Sequence, residues 1–191
     1  MTAFVDQVRA YLREHFDAEP DSASVTFLGT ETIDVLRFRS GGLVHYASLG
    51  CSRHPMLDPT EMVTDQLRGP RAEVVVSLRD PGPVTGLARS LAVLAATPAV
   101  EGVVLVPDAL IDLSSALWAG ARFTAVLLSL SEIPELPLEP PYDPVRFLTA
   151  TPITATEAAW VRLKGAEAMR QAWVDDGVDV LDPNRGAAQP G

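Results

Sequence analysis

The segment Ala72-Glu73-Val74-Val75-Val76-Ser77-Leu78 decides the fold class. Three consecutive β-branched valines favour an extended backbone. Their unbroken run, in place of alternation with polar residues, means burial on both faces. A strand of that kind lies inside a sheet that is covered on two sides. Immediately downstream, Asp80-Pro81-Gly82-Pro83 turns the chain. Val84, Leu87, Ala88, Leu91, Leu94 and Ala95 then recur at three- and four-residue spacing. They predict an amphipathic helix over 83–97, with Pro83 in its first turn and Pro98 ending it.

Working outward, Phe123 to Leu128 reads as a second doubly buried strand, and Val145, Phe147 and Thr149 alternate as a third. Val103 to Val106 and Ile111 to Leu113 predict a hairpin around Pro107-Asp108. Upstream, Val25 and Phe27 start one strand, Ile33 to Phe38 form the next, and Gly41-Gly42 turns the chain into Leu43 to Leu49, an antiparallel meander. Phe4, Val8, Leu12 and Phe16 give a helix over 3–16. Residues 52–70 read as a loop with a turn of helix at 60–67. Five prolines between 131 and 144 remove amide donors and predict a surface loop with no regular element. Thr154-Ala-Thr-Glu157 has capping-box spacing. It opens a last helix whose buried stripe is Ala159, Leu163, Ala166, Met169 and Trp173, stopped by Gly177. Val178 to Leu181 is an expected edge strand. The class is therefore mixed α/β (α+β), a mainly antiparallel mixed sheet packed with three or more helices. One domain over 1–185 is expected, followed by a disordered tail at 186–191.

The chain has 191 residues, 47% of them hydrophobic and 21% charged, the balance of a globular protein. Its net charge is −10 and its pI about 4.7. Nucleic acid and anionic membrane both need a basic footprint, so neither is an expected partner. A basic protein would be attracted, and the same charge also favours solubility. No run of 18 apolar residues occurs, and the N-terminal MTAFVDQVRAYLREHF lacks a signal-peptide core, so a cytoplasmic protein is expected. Lys164 is the only lysine among many arginines, a usage typical of GC-rich bacterial coding sequence. The lone Cys51 excludes a disulfide within the chain and a multi-cysteine zinc site.

Nucleotide-binding glycine motifs, a nucleophile elbow and helical metal-ligand pairs are all missing. The most suggestive segment is His45-Tyr-Ala-Ser-Leu-Gly-Cys51-Ser-Arg53-His54. A thiol near an imidazole and a guanidinium has the ingredients of an activated nucleophile, and Cys51, His54 and His45 have the ingredients of a metal site. The same residues equally suit a structural or partner-contacting loop. Asp58, Glu61, Asp175, Asp176 and Asp179 read as solvated loop and helix-end charges. Trp118, Trp160 and Trp173 read as core anchors.

Several stretches, in order and at consistent spacing from about 25 to 185, together resemble the Suppressor of fused (SUFU) family. They are His45-Tyr46-Ala-Ser-Leu-Gly50, Ala72-Glu73 leading the 74–78 strand, Gly86-Leu87-Ala88, Phe123-Thr-Ala-Val-Leu-Leu, and the Pro-rich loop into Val145-Arg-Phe147-Leu148. Pro152-Ile-Thr154-Ala-Thr-Glu157, Gly165 and Asp182-Pro-Asn-Arg185 complete the set. The resemblance is to the family's N-terminal globular domain. It implies a non-enzymatic, cofactor-free domain that binds protein. Animal members restrain Gli-type transcription factors by clamping a peptide between two domains as an added strand, and bacterial members resemble immunity proteins that neutralise toxins. No second domain is expected in these 191 residues, and they carry Cys51-Ser-Arg53-His54-Pro-Met56 where animal members are acidic and aromatic. The expected partner is thus a toxin or a regulatory protein. Its expected contact surface is strand 43–49 and the following loop, with Tyr46, Arg53, His54 and Met56. A regulator that sequesters a transcription factor, or an enzyme or metal site at Cys51/His54, are the other readings.

Overall fold

The computed structural model describes residues 2–62 and 66–189. One seven-stranded sheet organises the molecule, in the order β1-β2-β3-β4-β7-β6-β5. The strands are β1 (Asp21–Val25), β2 (Ile33–Ser40), β3 (Leu43–Leu49), β4 (Arg71–Arg79), β5 (Leu110–Asp112), β6 (Phe123–Leu130) and β7 (Val145–Thr154). Only the β4–β7 pairing is parallel; the other five are antiparallel. The expected meander is present as β1–β2–β3, and β4 is central and buried along nearly its whole length.

Alternating side chains divide the core into two faces. Val74 and Val76 of β4, with Val44 and Tyr46 of β3, meet α2 (Leu87–Glu101) through Leu87, Leu91 and Leu94. Val75, Ala47, Leu49, Leu36 and Phe38 meet α1 (Thr2–Phe16) through Val5, Val8 and Leu12. Further along that second face, Ala125 and Leu127 of β6 meet α3 (Ala155–Lys164) and α4 (Ala166–Asp175) through Ala158, Met169 and Trp173. Helices therefore lie on both faces, which is why the central strands read as continuous apolar runs. Each buried Val or Leu contributes about 1.5–3 kcal/mol.

The differences from the sequence reading have local causes. The α2 helix starts at Leu87, after Gly86, and Pro83 lies outside it. Pro98 is inside the helix. It cannot donate to the Leu94 carbonyl, and the Thr97 hydroxyl takes that carbonyl instead at 2.8 Å. The 103–106/111–113 hairpin does not form. Asp108 N–H and Ala109 C=O bond to Leu128, so this stretch is zipped onto β6, and Leu110–Asp112 pairs there as an edge. The edge strand β1 begins at Asp21, before Val25, and Phe27 lies beyond its end.

The last helix is broken in two at Gly165, whose φ of 93° and ψ of 167° are open to little but glycine. The break turns the buried stripe to Glu157, Ala158, Val161, Met169, Ala172 and Trp173, and Leu163 is 74% exposed. No strand forms at 178–181, although Leu181 C=O accepts the Arg79 N–H. Near the C-terminus Gly186, Ala187 and Gln189 are exposed, while Ala188 is buried and its N–H reaches Glu157. Positions 190 and 191 lie outside the described residues, as do 63–65 of the expected 60–67 turn; its described part is not helical. The 131–144 loop carries no helix, with a single bridge from Leu136 to Val145 and Ile133 buried beneath it.

Candidate functional site

The segment from His45 to His54 leaves β3 through Gly50 into a single 3-10 turn, Cys51–Arg53. Gly50 has φ +139°, and a Cβ there would lie 2.7 Å from the Arg53 guanidinium and 3.1 Å from the Thr32 carbonyl. No other residue fits this corner without displacing Arg53 from Thr32, whose carbonyl it caps.

Below the turn, two charged residues two apart on β4 share one face of the strand and grip the turn's backbone. Glu73, 0% exposed, accepts the Gly50 and Ser52 N–H groups at 2.8 and 3.0 Å. It also accepts the Ser52 and Ser48 hydroxyls at 2.7 and 2.5 Å. Arg71, 2% exposed, donates to the Ser52 and Arg53 carbonyls at 2.8 and 2.7 Å and lies over the rings of Phe4 and Tyr142. Burial raises the Glu73 carboxyl above its ordinary pKa, and the four hydrogen bonds work against that rise. Sequence reasoning missed this clamp. The available signal was a pair of charges opening a strand whose next residues are all buried, because such charges must find internal partners.

The structure separates the residues that chemistry at this loop would need. Burial, and then Glu73, push the Cys51 thiol well above its ordinary pKa, the reverse of an activated nucleophile. His54 Nε2 is 2.8 Å from Glu31 Oε2, in solvent. His45 Nδ1 is 2.7 Å from Ser77 Oγ, its ring stacks on Phe16, and burial lowers its pKa. Among the described residues no group of three or more His, Cys, Asp or Glu side chains is placed to hold a metal.

Of the expected contact residues, Arg53 is half-buried and His54 is exposed. Tyr46 and Met56 are 5% and 4% exposed. Met56 is a core residue and not a surface contact: its Sδ accepts the Leu105 N–H at 3.3 Å, filling the gap between the loop and the 103–106 segment. Tyr46 packs against α2. The turn borders a cleft of about 480 Å³, walled on one side by 29–33, on another by 50–57 and on the third by the last turns of α2.

The acidic residues expected to be solvated partly are. Asp58 closes its own turn onto Thr60, whereas Asp179 pairs with Arg79. Trp118 and Trp173 are core residues and Trp160 is partly buried. Among the described residues no helix is long and apolar enough to cross a membrane.

Comparison with known proteins places this architecture. The family model for Suppressor of fused protein (SUFU) matches residues 29–186. Among solved structures, a protein from Neisseria gonorrhoeae described as a SUFU homolog superposes with a TM-score of 0.72 at 17% identity, covering 99% of this chain and 98% of that one. The Sufu–Fu complex gives 0.67 at 15% identity, over 98% and 91%. Drosophila Suppressor of Fused gives 0.66 at 14% identity; this chain spans half of that protein. At these identities the structures establish a shared fold. Among curated protein sequences none matches.

Proposed function

The chain belongs to the Suppressor of fused family, and from that membership we propose that it is a protein-binding module that acts without catalysis or cofactor. The observation that carries this reading is the full-length likeness to a fold that, in the Sufu–Fu complex, is seen with a protein partner. The buried Cys51 thiol and its engaged histidine neighbours support it, because no nucleophile is activated at the most suggestive loop. The contact surface in this reading is the loop after β3, with Arg53, His54 and the 40% exposed Leu57. Tyr46 and Met56 support that surface from below.

The finer role we propose is an immunity-type inhibitor. A net charge of −10 complements a basic toxin, and burying a toxin's active site needs no chemistry from the inhibitor. Affinity purification with the tagged chain, followed by calorimetry on the partner it retains, tests the reading. Combined Arg53→Ala and Leu57→Ala changes should weaken binding by more than about 1 kcal/mol if either side chain anchors the interface. Stability should fall by no more than about 2 kcal/mol, because Arg53→Ala also removes the hydrogen bond that caps the Thr32 carbonyl. Unchanged affinity moves the site elsewhere. Association with a basic partner should slow as salt rises. A salt-independent on-rate would leave the acidity to solubility alone. Retention of an endogenous transcription factor would replace immunity by regulation.

A further inference from the structure

We propose that the proline strap at 132–140 is itself a ligand: its outer edge docks between aromatic rings on a protein partner whose groove is bordered by Lys or Arg. This is a second contact surface, and it rests on the protein-binding reading above. The segment Glu132-Ile-Pro134-Glu-Leu-Pro137-Leu-Glu139-Pro140 places a proline at every third position. Proline fixes its own φ and holds the residue before it extended, so the pairs Ile133–Pro134, Leu136–Pro137 and Glu139–Pro140 leave the strap little freedom. Burial follows the same period: Ile133 is buried, Pro134 and Glu135 are exposed, Leu136 is half-buried and Pro137 is exposed. Inward positions three apart are the repeat of a polyproline helix; a strand repeats every two.

The strap is held from beneath and open above. Leu136 exchanges both backbone hydrogen bonds with Val145 at 2.9 Å. Tyr11 Oη donates to the Pro134 carbonyl at 2.8 Å, and Ile133, Leu136 and Leu138 pack on the α1 face of the core. The rings of Pro134, Pro137 and Pro140 stay outward. Among the described residues no hydrogen bond engages the Glu135 and Pro137 carbonyls. Aromatic grooves read such an edge: their rings stack on proline, and an indole N–H or phenol O–H takes an open carbonyl. The edge is already ordered, so docking it costs little conformational entropy. Ile133 and Leu136 face inward, so the partner reads two proline faces about 9 Å apart without the aliphatic residues that precede them.

Charge selects the rest of the partner. Residues 131–144 contain Glu132, Glu135, Glu139 and Asp143 and no Lys or Arg. Arg146 pairs with Glu135 at 3.3 Å, and Asp143 accepts the Gly69 N–H at 2.7 Å. Glu132 and Glu139 are exposed, and among the described residues no ion pair engages either. These two carboxylates bracket the proline edge, so a basic residue at each end of the groove meets one.

Nuclear magnetic resonance titration with tryptamine, an indole that carries an ammonium group, tests this. Indole-3-propionate, the same ring with a carboxylate, is the charge control. Tryptamine should give saturable upfield ring-current shifts on the Pro134 and Pro137 ring protons. Affinity should fall by about threefold or more with indole-3-propionate and in Glu132→Gln/Glu139→Gln. Pro134→Ala/Pro137→Ala should abolish the shifts at 132–140, and unchanged β7 amide positions in both variants show that the Leu136 bridge still seats the strap. Equal binding of the two indoles, shifts confined to other surfaces, or no shift at the prolines would each overturn the proposal. A purified protein partner that binds Pro134→Ala/Pro137→Ala as tightly as the unaltered chain would overturn the strap and leave the protein-binding reading standing. Tryptamine binding at the strap as expected, with no protein partner retained by the tagged chain, would overturn that reading and leave the strap an aromatic-binding edge.

Discussion

Two glutamates lie in the interior, Glu73 beneath the Gly50 turn and Glu157 at the head of α3, 0% and 1% exposed. Glu157 completes the Thr154 capping box, accepting the Thr154 N–H at 3.0 Å while Thr154 Oγ1 takes its own N–H. It also accepts the Trp173 indole N–H at 2.7 Å and hydrogen bonds from the two terminal Arg185 nitrogens at 2.9 and 3.0 Å. Arg185 in turn lies over Phe123 and Trp173. One carboxylate thus ties the cap of α3, the body of α4 and the C-terminal segment together. Glu73 has comparable hydrogen bonding, but among the described residues no cation pairs with it; Arg71 bonds to the turn's carbonyls instead. Burial would raise both carboxyls. At Glu157 the guanidinium and the N–H donors prevail and the pKa falls; at Glu73 burial prevails and it rises. A buried carboxylate is thus a lock where a cation meets it. Where only dipoles meet it, it shapes a loop at some electrostatic cost.

The largest effect is expected from breaking the lock. Arg185→Ala leaves Glu157 buried and uncompensated and should cost about 3–5 kcal/mol in urea unfolding. A cost below about 1 kcal/mol would mean that Glu157 takes up a proton or reaches solvent with little rearrangement. On the other side of the comparison, Gly50→Ala forces a Cβ into Arg53 at positive φ and should cost about 2 kcal/mol. Its amide shifts should be confined to 29–33 and 48–57, and shifts reaching α3 would show that the two regions are not independent.

Glu73→Gln should be the mildest, within about 1 kcal/mol, because the amide oxygen still accepts the Gly50 and Ser52 N–H groups. It separates the two glutamates most clearly through pH. With its folded pKa raised above 4.5, Glu73 binds more protons folded than unfolded. Its contribution is therefore greatest below about pH 4.5 and declines as pH rises through the folded value. Unfolding curves across that window should show Glu73→Gln gaining on the unaltered chain as pH rises. Glu157 has the opposite sign: its folded pKa is lowered, so its contribution is present above about pH 4.5 and lost as pH falls through the folded value. Glu157→Gln should accordingly lose its penalty on acidification. Parallel pH profiles for the two variants would erase the distinction.

The sequence by itself determined the interior of the central strands and where several elements start. The valine run of β4, the alternation of β7, the Thr154 capping box and the prolines of 131–144 are local signals, because burial on a strand, a cap and a missing amide are all decided within a few residues. The Thr154–Glu157 spacing showed half of the Glu157 site, its cap, since both partners are three residues apart. Tertiary structure alone decided the rest. Leu110–Asp112 pairs with β6 and not with 103–106, Met56 turns inward to Leu105, and Arg185 reaches Glu157 across 28 positions. The clamp of Arg71 and Glu73 on the Gly50 turn is of the same kind. Periodicity along a chain reports which face a side chain takes; it carries no information about which distant segment supplies its partner, and a buried charge is defined by that partner.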